Sequence, residues 1–330
     1  MRNEEAFLNR RVQSWRRLEE LNRRANAGVK RLTGTELVEY VRLYRQTSGD
    51  LAYMQSHSSN SDVVEYLNLI VGNAYGVLYR KSKRKMTAWL PDALYASAYS
   101  VRKFAWSFWL ATAIFALAGV FAYGVLKSEP ALSHHFIPPG WEETFESWKK
   151  GEHEARNADE GMMATGMYAT NNPMVGIRTV GMTAVTGGAM GAYLLWFNGA
   201  MIGALTAEVE KTGKVFFLYS SIGPHGVSEI GGILLTGAAG FVMGFALINP
   251  GNRRRIDALK DAGKACFPMY MIALVMIFIA APIEGFFSFN PAIPQSVKVV
   301  ATVIGVVAWT SFFVFYGRER DPKEAEEMLS

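Results

Sequence analysis

The residues of this chain best placed to do chemistry sit in an apolar setting. The segment Gly223-Pro224-His225-Gly226-Val227-Ser228-Glu229 lies between hydrophobic runs. His225 and Glu229 are four apart, so on a helix both project from one face. That pair could share a proton, bind a cation or bond to a neighbouring helix. Pro224 has no amide donor and is expected to break the preceding helix, with Gly226 loosening the backbone beside it. Glu284 ends another apolar run, in Ala280-Ala281-Pro282-Ile283-Glu284-Gly285-Phe286. It is expected either to sit at the membrane interface or to reach His225 or Arg178. Asn171, Asn172, Asn198 and Asn249 mark the edges of apolar runs, as does Arg178. Asparagine both donates and accepts hydrogen bonds, which suits capping and interhelical contacts. Ionisable groups within hydrocarbon are costly and tend to mark function. His225, Glu229, Glu284, Arg178, Asn172, Asn198 and Asn249 are therefore the candidate intramembrane polar site. Each of them alone has a plain structural role open to it.

Several chemistries find no support. The sequence has no HExxH helix, no GxSxG elbow and no phosphate-binding glycine loop. His225 with Glu229 supplies two metal ligands, and a catalytic zinc usually takes three. One cysteine, Cys266, makes an internal disulfide impossible and is expected to pack as a small apolar residue. His134, His135 and His153 stand among glutamates, a setting that fits either a metal or simple solvation. No catalytic residue and no cofactor is expected.

The elements that must position these residues are membrane spans. The chain is 50% hydrophobic, yet residues 1–103 are charged and polar while most of 104–316 is apolar. A spanning helix needs about 20 mostly apolar residues. Five stretches meet or approach that length: 104–126, 177–205, 227–248 with a lead-in from 215, 266–283 and 297–316. The opening MRNEEAFLNRR lacks the apolar run of a signal peptide, so the first span is expected to act as its own insertion signal. The expected fold is all-α, a polytopic membrane helix bundle behind an N-terminal soluble helical bundle. Its parts are a cytoplasmic helical domain (1–103), the first span (104–126), an extracytoplasmic acidic loop with an interfacial segment (127–176), the transmembrane core (177–316) and a tail (317–330).

Charge orients this arrangement. Residues 1–103 hold 18 Lys/Arg against 10 Asp/Glu, and residues 127–176 hold four against eight. Excess Lys/Arg marks the cytoplasmic side. Arg253, Arg254, Arg255, Arg318 and Arg320 also look cytoplasmic, which requires an even number of crossings. The extra crossing is expected from 161–176 or from 215–223.

The N-terminal part shows helical spacing in Leu8, Val12, Trp15, Leu18 and Leu21, and again from Val64 to Leu78. Gly28 falls where a C-cap would. Thr33-Gly34-Thr35-Glu36 has capping-box form ahead of Leu37, Val38, Val41 and Leu43. Lys81, Lys83, Arg84 and Lys85 precede the first span and suit anionic lipid heads or a partner. Nucleic acid is not expected for a basic cluster beside a membrane span. Glycines crowd two spans: Gly187, Gly188, Gly191, Gly199 and Gly203, then Gly231, Gly232, Gly237, Gly240 and Gly244. Small residues allow close helix packing in lipid, within the chain or across a homodimer.

These residues, in this order, resemble the stage II sporulation protein M family of bacterial membrane proteins. The matching pieces are Asn171-Asn172, Asn198-Gly199 with Gly203, and Pro224-His225-Gly226 with Glu229. Then come Gly240, Asn249-Pro250-Gly251 with Arg254, and Ile283-Glu284-Gly285-Phe286. Tyr44-Arg45, Asp50-Leu51-Ala52 and Tyr66-Leu67-Asn68 are similar to the cytoplasmic region of its longer members. The acidic stretch 127–160 is the least matched. The resemblance implies a non-enzymatic membrane scaffold or assembly factor of the cell envelope. The family's namesake holds peptidoglycan-degrading enzymes at the engulfing septum, and longer relatives are often encoded beside MoxR-type ATPases. It implies the bacterial inner membrane, with the N-terminus cytoplasmic and an ATPase-type or envelope-enzyme partner. Two alternatives stand beside it: a transporter, channel or lipid-moving protein using His225 and Glu229, and an intramembrane enzyme. A cavity lined by His225, Glu229 and Glu284 favours transport, and a dry hydrogen-bonded network favours the scaffold.

Overall fold

The computed structural model describes residues 2–28, 31–57, 60–79, 89–137 and 142–329. The basic cluster of Lys81, Lys83, Arg84 and Lys85 lies outside them. Every regular element among the described residues is a helix. The chain divides into two compact units, Met1–Lys85 and Met86–Ser330.

The first unit packs α1 (Arg2–Asn26), α2 (Gly34–His57) and α3 (Ser61–Leu78). Trp15, Leu18 and Leu21 of α1 meet Tyr40, Leu43 and Met54 of α2 and Leu67 and Ile70 of α3 in one core. Each leucine buried this way contributes about 1.5–3 kcal/mol relative to exposure. The capping box forms: Thr33 N donates to Glu36 at 2.8 Å and Glu36 N donates to Thr33 Oγ1 at 3.3 Å. The buried face of α2 differs from the expected one. Leu37 and Val38 are exposed, and Tyr40, Leu43, Thr47, Asp50 and Met54 turn inward at steps of three and four. Most polar groups inside this core are paired, the Thr47 hydroxyl being one that has no partner among the described residues. Trp15 Nε1 donates to Asp50 at 2.9 Å, and Asn22 accepts from Tyr40 OH at 2.6 Å while donating to the Ile70 carbonyl at 2.8 Å.

The second unit runs α4 (Trp89–Lys103), α5 (Ala105–Ser128), a short 3-10 turn, α6 (Ser133–Phe136), α7 (Glu142–Lys150), α8 (Ala158–Val185) and α9 (Ala189–Glu210). It continues with α10 (Val215–Ile248), α11 (Arg255–Pro282), a π-helical turn (Ile283–Ser288), α12 (Gln295–Phe315) and α13 (Pro322–Leu329). The unit begins before α4, so the expected boundary at 103 moves back. The cause is that α4 packs on α11, α12 and α13.

Five helices are long and apolar enough to cross a membrane: α5, α9, α10, α11 with its π turn, and α12. A sixth long helix, α8, has 28 residues, or about 42 Å of rise. Its composition is too rich in Gly, Thr and Asn to stand out by hydropathy, but it packs against α9, α10 and α11. The span expected at 177–205 is therefore two helices. The chain reverses at Thr186-Gly187-Gly188, where φ is +63° at Gly187 and +106° at Gly188. Side chains resist that region of backbone space and glycine does not.

Contacts at the helix ends fix which termini share a face. Ser100 Oγ donates to the Ala265 carbonyl at 2.9 Å, and Arg102 donates to the carbonyls of Phe313 and Tyr316 at 2.8 and 3.1 Å. Arg320 pairs with Asp92 at 2.8 Å and lies 4.3 Å from the Tyr95 ring centroid. The start of α5, the start of α11 and the end of α12 thus lie on one face. At the opposite face Glu210, ending α9, bonds Lys127 and Tyr123 near the end of α5 at 3.0 and 2.8 Å. With α8 beside the five apolar helices, the unit holds six long helices among the described residues, and α8 takes in 161–176, one of the two stretches expected to supply a further crossing.

At the centre is α10, whose most apolar stretch is 67% buried, against 6% for that of α12. The glycines serve contacts within the chain. A Cβ on Gly199 would overlap the Phe115 carbonyl, and one on Gly203 the Gly119 carbonyl, so α5 and α9 touch backbone to backbone. Gly203→Leu should therefore lower the thermal unfolding midpoint of the detergent-solubilised protein by several degrees, an overpacking cost of about 1–3 kcal/mol. Gly181→Ala, into open space, should leave the midpoint unchanged. Single cysteines placed at Glu129 and Glu319 in a Cys266→Ala background should label from opposite sides of sealed vesicles. Labelling from one side would exclude six crossings.

Candidate functional site

The helix break expected at Pro224 is absent: α10 is continuous from Val215 to Ile248, with Pro224 and Gly226 inside it. Proline removes one amide donor from the helical ladder, and helices α8, α11 and α12 packed around α10 hold the remainder in place. Continuity puts His225 and Glu229 on one helix at roughly 15 and 21 Å of rise from its first residue. His225 is buried, 6% exposed.

Glu284 arrives from the opposite wall. After Pro282 the last part of α11 widens into the π turn Ile283–Ser288. The turn buries both Glu284 and Ser288 within the protein. Single π turns recur at functional sites because they re-aim side chains that a regular helix would point elsewhere. The turn packs tightly on α8, with Gly161 against the Phe286 ring and Gly285 against Thr165.

One ligand-type atom each from His225, Glu229 and Glu284 lies within 4.8 Å of the others. His225 Nδ1 and Ser288 Oγ are 2.8 Å apart. Asn172 Nδ2 donates to Glu284 Oε2 at 3.5 Å and accepts at Oδ1 from Asn171 at 3.1 Å. His225, Glu229 and Glu284 face a cavity of about 1120 Å³ that Arg156, Tyr168 and His153 also line. Arg156 donates toward the Gly285 carbonyl at 3.5 Å and Tyr168 OH at 3.4 Å, and lies 5.5 Å from the Phe289 ring centroid.

The structure sorts the other candidates. Asn172 joins the cluster. Arg178 does not: it lies on the exposed side of α8. Asn198 bonds the Leu194 carbonyl of its own helix at 2.8 Å. Asn249 follows α10 as its C-terminal cap residue and is exposed. His134 and His135 are exposed, with their rings 3.9 Å apart, away from the cluster's lining residues. Arg156, Tyr168 and Ser288 are additions. Only Ser288 carried a sequence signal, standing four residues after Glu284 as Glu229 stands after His225.

The loop that looked wet and acidic forms the cavity's roof. Phe145 and Trp148 of α7 bury themselves against Leu126, Leu205 and Leu218. His153 sits between Trp148, Phe217 and Phe289, with Nε2 3.1 Å from Ser221 Oγ. Burial, with Lys298 and Arg156 nearby, pushes its imidazole down to about 4. Lys298, near the start of α12, is fully buried, and its ammonium has no hydrogen-bond partner among the described residues.

These features define a polytopic α-helical membrane protein with a polar cluster that faces a cavity. The family model for stage II sporulation protein M matches residues 111–289, more than half of the chain. The chain belongs to that family, and the match takes in His225, Glu229 and Glu284. A second family model, described as a domain of unknown function, matches residues 5–80, within the first compact unit. No curated protein and no solved structure matches the chain.

His153 yields a pH test. A histidine whose folded pKa is depressed takes up protons more readily when unfolded. The stabilisation from keeping it neutral is complete above about 6.5 and is lost as pH falls toward about 4. Thermal unfolding of the solubilised protein should drop over that window, and by less in His153→Gln.

Proposed function

We propose that the protein is an ion- or solute-handling protein of the bacterial cytoplasmic membrane, with both termini cytoplasmic. Its membrane domain admits a small polar or cationic species from the extracytoplasmic side to the His225–Glu229–Glu284 cluster. The observation that carries this reading is the cavity of about 1120 Å³ on which all three side chains open. Polar groups in a membrane interior that pair only with one another form a packing network. Polar groups that line a cavity are available to a ligand, and transporters build their sites in this way at membrane depth. The orientation rests on charge: Arg102, Arg320 and the segment from Arg253 to Arg255 gather on the face that α4 and α13 share, as cytoplasmic faces require.

A second reading, the scaffold, is favoured by a different observation. Residues 1–85 form a compact unit with its own core and its own family match. Such a unit is suited to meet a soluble partner, of ATPase type or an envelope enzyme. The two readings are compatible in one assembly, and the cavity is what the scaffold alone leaves without a role.

The test is flux through the full chain reconstituted in liposomes loaded with pH- and cation-sensitive dyes. Wild-type vesicles should show flux above protein-free vesicles, and Glu229→Gln should reduce it at least tenfold. Flux equal to that of protein-free vesicles for protons and for monovalent and divalent cations would overturn the reading. A stoichiometric partner captured with residues 1–85 intact, and lost on their removal, would then favour the scaffold.

A further inference from the structure

We propose that His225, Glu229 and Glu284 form a binding site for a divalent first-row transition-metal cation, entered from the cavity. This inference rests on the reading of the cluster as a ligand site and names the class of ligand.

Three observations converge. The first is the donor set. One ligand atom from each residue lies within 4.8 Å of the others. Ligands on a tetrahedral centre with bonds of about 2.0–2.2 Å stand about 3.3–3.6 Å apart, so the three side chains need to close by only about 1 Å to share a cation. Imidazole with carboxylates is a mixed N/O set that suits zinc, iron or manganese, whereas calcium and magnesium favour oxygen alone. Three protein ligands leave a coordination position open, and here that position would face the cavity.

The second observation is the surrounding shell. Metal-binding histidines almost always donate through their other ring nitrogen to an orienting partner. Ser288 Oγ stands 2.8 Å from His225 Nδ1, and a neutral ring donating there keeps its lone pair at Nε2. Glu284 has an orienting partner too, accepting from Asn172 at 3.5 Å. Ser288 and Asn172 hold the ligands from behind and leave the cavity side open.

The third is charge. Two carboxylates approach each other inside the bundle, and of the two cationic side chains lining the cavity, Arg156 and Lys150, Arg156 is the one that bonds beside Glu284, at the Gly285 carbonyl. One guanidinium offsets one carboxylate. The second requires a proton or another cation, and a divalent ion satisfies both carboxylates while also using the imidazole that a shared proton leaves idle. His134 and His135 do not compete for this role, because they are exposed and lack a buried carboxylate partner among the described residues.

Full-length protein in nanodiscs, stripped with chelator, should bind one Zn2+ per chain in calorimetric titration. Co2+ should give a visible absorption band, and zinc-edge X-ray absorption should show one imidazole with oxygen ligands. Glu229→Gln and His225→Ala should each weaken Zn2+ binding by at least 100-fold. Ser288→Ala should weaken it about 10- to 100-fold, as loss of an orienting partner does, and His134→Ala/His135→Ala should leave it unchanged. Glu229→Gln keeps the side-chain shape, and an unfolding midpoint near wild type would show that its loss of binding is local. No saturable Zn2+ or Co2+ binding by wild type would overturn the site, as would full binding by Glu229→Gln. Loss in the His134→Ala/His135→Ala variant would do the same by marking surface binding. Metal binding without any flux would sustain this site and sink transport; flux without metal binding would do the reverse.

Discussion

The structure depends on keeping two carboxylates and an imidazole inside a membrane bundle. Removing a carboxylate from water costs several kcal/mol unless something replaces its hydration. Three elements supply that replacement from three directions. Helix α10 presents His225 and Glu229, the π turn presents Glu284 and Ser288, and α8 presents Asn172. None of these elements could move by one residue without breaking the set. The tight packing of Gly161 on Phe286 and of Gly285 on Thr165 clamps the π turn to α8 at that level.

The same constraint explains what the sequence disclosed. Five helices were legible because spanning helices must be apolar, and α8 was hidden because it is not. It carries Asn172 and faces α9, α10 and α11, so it needs small and polar residues more than hydropathy. Its C-terminal end merged with α9 into one apolar run, because a two-glycine reversal adds no polar residue to betray it. Pro224 misled for a related reason. Proline ends helices in water, where the lost bond has no compensation from neighbours. In a packed bundle the helix passes through it. The histidine and the two glutamates were legible from their type and setting, but their meeting depended on the π turn, which no spacing rule anticipates. Arg156 was invisible, since an arginine in a loop carries no sign that the loop folds back over the bundle.

The division into two units follows from chemistry as well. The described residues of the first unit pair buried polar groups with one another, through Trp15 with Asp50 and Asn22 with Tyr40. In the second unit α4 shares that polarity but spends it on the membrane helices, tying carbonyls of α11 and α12 through Ser100 and Arg102. Composition alone grouped α4 with the soluble part. Its hydrogen bonds group it with the membrane part and bring the chain's C-terminal helix to the same face.

The roof decides what kind of site this can be. Trp148, His153, Phe217 and Phe289 form a connected set of rings over the cavity's loop side. Phe289 also touches His225, with ring centroids 5.3 Å apart, so roof and site are in direct contact. An aromatic roof presents faces that attract cations, and Arg156 already occupies one of them over Phe289. A positively charged species entering along these faces would meet Arg156 before the carboxylates. Arg156 is held by the Gly285 carbonyl and Tyr168 OH and not by Glu284 itself, so selectivity would favour an ion whose charge density at the carboxylates outweighs that of a nearby diffuse guanidinium. A compact divalent cation meets that demand, and a large organic cation does not.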